Sequence, residues 1–108
     1  MNMDEYQKQC KSTASYPNVG NNLIYTCLGL AGESGEFIDK VKKLVRQNKQ
    51  PNEAEQNALA LELGDILWYI AMAAEELDCD LEEVARQNLA KLQSRKNRNL
   101  IQGEGDNR

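Results

Sequence analysis

A chain of 108 residues with 41% hydrophobic side chains is sized for one domain and too apolar for disorder throughout. Its net charge of −4 lacks the basic footprint of a nucleic-acid binder, so no nucleic-acid partner is expected. With no histidine and three scattered cysteines, neither a Cys/His zinc site nor histidine-based acid–base chemistry is available.

Four helices follow in chain order. The N-terminal stretch Met1 to Lys11 is polar and mixed in charge, unlike a leader, and a first helix is predicted from Asp4 to Ser15. The breakers Tyr16-Pro17-Asn18-Val19-Gly20 end it. A second helix starts with Asn21 or Asn22 as N-cap and runs to about Asn48, with Leu23, Cys27, Leu30, Phe37, Val41, Leu44 and Val45 as its apolar stripe. Gly29, Gly32 and Gly35 recur along it, each costing about 1 kcal/mol in a helix interior, for close packing or for room beside the helix. Gln50-Pro51-Asn52 forms the next stop, turn and N-cap.

A third helix covers Glu53 to Leu77, and its longest uncharged run, Ile66 to Ala74, falls far short of the roughly 20 residues that span a bilayer. No membrane partner is expected. Asp80-Leu81-Glu82-Glu83 has the form of a capping box for a fourth helix, Leu81 to Lys96, with Leu81, Val84, Ala85, Leu89 and Leu92 inward. Residues 1–96 thus form a helical domain and residues 97–108 a polar tail. Cys27 and Cys79 stand among apolar neighbours and are expected as reduced core positions, which fits a cytoplasmic protein.

The chemistry lies in two acid pairs. Glu33 and Glu36 are three residues apart on the second helix, and Glu62 and Asp65 three apart on the third, so each pair occupies one face. The pair midpoints average to residue 49, beside the Pro51 turn, so antiparallel helices would bring both clips to one height. Like charges about 4 Å apart repel by about 4 kcal/mol at an effective dielectric of 20, which cations would relieve. Oxygen-only ligands select hard ions, Mg²⁺ above all, and with it a phosphorylated ligand.

Leu28-Gly29-Leu30-Ala31-Gly32-Glu33-Ser34-Gly35-Glu36, with the following Lys40-Val41-Lys42-Lys43, resembles the first signature of MazG-like nucleotide pyrophosphohydrolases. Glu62-Leu63-Gly64-Asp65-Ile66-Leu67-Trp68-Tyr69 resembles the second, and the likeness covers most of residues 23–95. The resemblance implies an all-α, four-helix bundle assembled as a dimer or dimer of dimers. It implies cleavage of a (d)NTP between the α- and β-phosphates, to (d)NMP and pyrophosphate, with Mg²⁺ (or Mn²⁺ as substitute) on Glu33, Glu36, Glu62 and Asp65. Lys91 and Arg95 match positions that reach phosphates and Asn88 matches a helper; a solvated basic face is the alternative reading of the two cations. Trp68 belongs to the core by its setting and to base stacking by its position beside Asp65. Without histidine, a carboxylate or a metal-activated water has to supply the base.

Few polar candidates for a pyrimidine-specific pocket are visible, a lean toward purines such as (d)GTP. The other readings are a deoxyuridine or modified-nucleotide pyrophosphatase, and a non-enzymatic helical interaction module. Short forms of the family imply house-cleaning or nucleotide-pool control, in a host's cytoplasm if the chain is viral.

Overall fold

The computed structural model describes residues 1–99 and 103–106, which contain four α-helices and no strand. They are α1 (Met3–Thr13), α2 (Leu23–Arg46), α3 (Glu53–Glu76) and α4 (Leu81–Asn97), each end within two residues of the sequence reading. The polar tail expected over residues 97–108 falls partly outside the described residues.

Asparagine caps set the long pair. The Asn22 side chain accepts the Tyr25 N–H at 3.1 Å, starting α2. Asn52 accepts from the Glu55 N–H at 2.8 Å while Glu55 accepts the Asn52 N–H at 3.0 Å, a reciprocal box that starts α3. Between them Asn48 takes a left-handed φ of 52°, and the Lys49 N–H closes on the Leu44 carbonyl at 3.1 Å. This turn folds two helices of 24 residues against each other, antiparallel. Ion pairs Lys49–Glu55 (2.6 Å) at the turn and Lys40–Glu62 (3.7 Å) farther along mark the register.

The box expected at the start of α4 does not form. Asp80 makes no side-chain cap bond, and Glu83 pairs with Arg86 instead. Its place is taken from a distance: buried Gln7 of α1 accepts the Leu81 N–H at 2.8 Å and donates to the Cys79 carbonyl at 2.9 Å. Gln7→Ala strands both backbone groups, so a loss of about 2 kcal/mol is expected in urea unfolding, against about 0.5 kcal/mol for Asp80→Ala.

The core cluster is small: Cys10, Tyr16, Ala71, Met72 and Leu81, flanked by Tyr6, Ala14 and Trp68. It forms where α1 and α4 meet α3. Among the described helices α2 touches only α3, so one chain does not close a bundle by itself. The radius of gyration, 16.6 Å, accordingly exceeds the roughly 13 Å of a compact chain of about 100 residues.

Cys27 and Cys79 are therefore not core positions; both are exposed, and Cys10 is the buried cysteine. Cys27 shares the uncovered side of α2 with Ile24 and Leu28, and Cys79 lies in the α3–α4 turn. Beyond Leu81 and the half-buried Ala85 the stripe of α4 is likewise bare, with Leu89 68% exposed. By length and composition α3 reaches what a bilayer crossing requires, contrary to expectation. Its acids Glu62 and Asp65 oppose that use, since an acid at a bilayer centre costs about 2.5–3.5 kcal/mol.

Candidate active site

The antiparallel pair brings three of the four acids together. Carboxylate oxygens of Glu33 from α2 and of Glu62 and Asp65 from α3 all lie within 4.8 Å of one another. Glu33 and Glu62 are half-buried and Asp65 is exposed. Glu36 stands one helical turn beyond Glu33, exposed and outside the tight trio. It still acts on the cluster. Burial first, then the charge and hydrogen bonding of Glu36, then the charges of Asp65 and Glu62, push the Glu33 carboxyl above its ordinary range.

Two oxygens carry the chemical message. Glu33 Oε2 and Glu62 Oε2 are buried and have no hydrogen-bond partner. Lys40, 3.7 Å from Glu62 Oε1, is the nearby counter-charge, on the other oxygen of that group. Buried acceptors are costly to leave unpaired, by about 1–3 kcal/mol each and more when charged. A cation bound among these carboxylates would relieve that cost. The donor set is all carboxylate oxygen and partly open to solvent, which suits a hard divalent ion that keeps waters and meets phosphate.

A cleft of about 330 Å³ opens beside the acids, lined by Thr13, Glu33, Asp65, Trp68 and Tyr69. Trp68 Nε1 donates to Thr13 Oγ1 at 2.9 Å, and the Thr13 hydroxyl donates to the Cys10 carbonyl at 2.8 Å. The indole stands edge-on to Tyr69, with centroids 5.0 Å apart, and to Tyr16 at 6.4 Å. Trp68 thus serves both readings, packed against the core and forming a wall of the cleft. Thr13 carries no signal in the sequence, because its place depends on how the end of α1 docks on α3.

The glycines of α2 divide by cause. A Cβ on Gly29 would lie 2.0 Å from the Tyr69 ring, whereas at Gly32 and Gly35 it would meet nothing within 4 Å. Gly29 is there for the aromatic wall. Gly29→Ala gains about 1 kcal/mol of helix propensity but overpacks the ring, so it should unfold about 1–2 kcal/mol more easily than Gly32→Ala in denaturant titration.

The α4 residues stand apart from this cleft. Asn88 and Lys91 line a separate hollow of about 280 Å³ with Val84 and Gln87. Arg95 is buried and reaches the Gly105 carbonyl at 3.1 Å. Within one chain, then, Glu33, Asp65 and Trp68 line one cleft, Glu62 meets the two acids beside it, Glu36 lies one turn beyond Glu33, and Asn88, Lys91 and Arg95 stand apart on α4.

A family model described as the MazG nucleotide pyrophosphohydrolase domain matches residues 23–99, which include every one of these candidate residues. The Gene 37 protein of Mycobacterium phage L5 is 45% identical over the whole of both chains. No solved structure matches.

Proposed function

The chain belongs to the MazG nucleotide pyrophosphohydrolase family, and on that premise we propose that it hydrolyses nucleoside triphosphates to monophosphate and pyrophosphate with Mg²⁺. One observation carries the metal: Glu33, Glu62 and Asp65 converge within 4.8 Å, and two of their buried oxygens lack any partner. These three residues hold the ion, with Glu36 bordering it, and Mn²⁺ can substitute. Bound there, Mg²⁺ neutralises the acids and offsets the charge that grows on the phosphate oxygens.

The chain's own groups do the rest. Water attacks the α-phosphorus, the bond to the β-phosphate oxygen breaks, and pyrophosphate leaves with the bonding electrons. A cluster carboxylate takes the water's proton. Trp68 offers its face to the base, and the larger purine ring gains more from stacking, which supports a lean to substrates such as (d)GTP. Asn88, Lys91 and Arg95 contribute phosphate contacts from α4. The role that follows is control or cleaning of the nucleotide pool, in the cytoplasm, the host's if the chain is viral as its phage relative is.

Assembly into a dimer or dimer of dimers completes this reading. Ile24, Leu28, Ile38 and Val45 form a row on α2 that is 62–73% exposed, with Ala31, Gly35 and Lys42 at the steps between. That spacing of three and four is a seam for another helix. Because α2 and α4 do not touch within one chain, assembly is what brings the two groups of residues to one triphosphate. Light scattering that finds only monomer at micromolar concentration overturns the assembly.

The activity is tested by incubating the protein with each of the eight common NTPs and dNTPs plus Mg²⁺ and separating the products. Monophosphate and pyrophosphate are expected, most from a purine. Their absence with every nucleotide overturns the proposal in favour of a helical interaction module.

A further inference from the structure

The basic pair on α4 already holds an anion, and the chain supplies it. Asp106 Oδ1 lies 3.0 Å from Lys91 Nζ and 3.4 Å from Arg95 Nη2, while the Gly105 carbonyl takes a further bond from Arg95 at 3.1 Å. One anionic oxygen between two cations is the arrangement a phosphate oxygen adopts on such a pair. We propose that Asp106 is an internal stand-in for a phosphate, a latch that holds Lys91 and Arg95 closed until a polyphosphate displaces it. The proposal rests on the reading of Lys91 and Arg95 as phosphate contacts.

Three features make this a latch and not a structural tie. First, the guanidinium is under-used: the Arg95 side chain is 4% exposed, yet its Nε has no partner, since the carboxylate meets Nη2 alone. Asp106 spends one oxygen, Oδ1, on both cations, whereas a phosphate group has a third oxygen and can serve Lys91 while engaging Nε as well as Nη2 of Arg95. Second, the Asp106 side chain is 83% exposed. Ion pairs so open to water are weak and are readily exchanged. Third, Gly105 takes a left-handed φ of 79°, which presents its carbonyl and the next side chain to Arg95 together. In keeping with the contact, the Lys91 ammonium and the Arg95 guanidinium hold the Asp106 carboxyl below its ordinary range.

The test uses the full chain and inorganic tripolyphosphate, followed by calorimetry without divalent cations at fixed low salt. Asp106→Asn is expected to bind tripolyphosphate about two- to fivefold more tightly, the scale of releasing one exposed ion pair. The KM for the preferred nucleotide should fall by the same factor with kcat unchanged. In a Lys91→Gln background the effect of Asp106→Asn should shrink to less than half. Glu104→Gln, which removes a neighbouring exposed acid, should change nothing. Unchanged or weaker binding by Asp106→Asn overturns the latch, and so does equal tightening by Glu104→Gln, which would show a bulk charge effect. If no nucleotide is hydrolysed but the tripolyphosphate pattern holds, the enzymatic reading fails and the latch stands. Normal turnover with KM and tripolyphosphate affinity unmoved removes the latch alone.

Discussion

Glu33→Gln is expected to lower Mg²⁺-supported turnover by about 10²–10⁴-fold while raising the melting temperature of the metal-free protein. The activity term follows from losing one ligand of a cation whose charge stabilisation is worth several kcal/mol, at about 1.36 kcal/mol per factor of ten. The stability term has the opposite sign because the metal-free carboxylates repel. Burial and three neighbouring acids raise the Glu33 pKa, so ionising this group costs more in the fold than in the unfolded chain. Its contribution to stability therefore falls as pH rises from the ordinary glutamate range through the raised value, and stays lost above it. Gln carries no such penalty. The gap between the variant and the parent should be widest near pH 7 and close in acid. Mg²⁺ should then reverse the order, since only the parent gains the full stabilisation of a bound ligand, about 2.7 kcal/mol at 100 times Kd. Thermal melts with and without Mg²⁺ at two pH values read all of this. A metal-free variant that melts lower than the parent, yet keeps the Mg²⁺-induced rise, would make Glu33 a structural group and not a ligand.

The acid cluster was legible because every step to it is local. An i, i+3 pair on each helix and a turn at Pro51 determine both face and height, and the structure brings Glu33, Glu62 and Asp65 together accordingly. Glu36, with the same i, i+3 spacing as Glu62 and Asp65, stays outside the trio, so spacing on one helix places a residue on the right face but does not decide which oxygens converge. Contacts that join distant parts of the chain left no such trace. Gln7 caps α4 across 74 residues, displacing the local pattern at Asp80 and Glu83 that reads as a box. Periodicity was equally silent on coverage. Leu44 and Val45 both belong to the predicted stripe of α2, but Leu44 is 8% exposed against α3 and Val45 is 72% exposed. A stripe reports that something covers a face, and which element does so is decided by packing.

Glu76→Ala is expected to cost about 3 kcal/mol at neutral pH and to lower kcat/KM as well. A clue to its importance is its misplaced charge: α3 ends in Glu75 and Glu76 with no basic residue in its last turn, where the helix dipole disfavours acids. Glu76 compensates by serving as the anchor of the α1–α2 connection. One oxygen accepts the Tyr16 hydroxyl and the Gly20 N–H (2.9 Å), and the other accepts the Asn22 N–H (3.0 Å). Hydrogen bonds to a charged group contribute about 1.5–3 kcal/mol each, part of which water restores at the more exposed donors. The same acceptor fixes Tyr16, which stacks on Tyr25 at 4.8 Å and meets the Trp68 edge, so the wall of the acidic cleft loosens with it. Bonding from the Tyr16 hydroxyl, then from the two backbone N–H groups, holds the Glu76 carboxyl below its ordinary range against some desolvation. A lowered folded pKa means stability that is present above the ordinary glutamate value and lost as pH falls through the lowered one. Glu76→Ala should therefore approach the parent in acid, and Glu76→Gln, which keeps one acceptor, should lie between them at pH 7. Urea unfolding of all three at neutral and acid pH decides it: a cost under about 1 kcal/mol, or a gap that ignores pH, shows that the loop is held by its aromatic stack instead. Glu33 and Glu76, both half-buried acids, thus pull stability in opposite directions with pH, one because it faces carboxylates and the other because it faces donors.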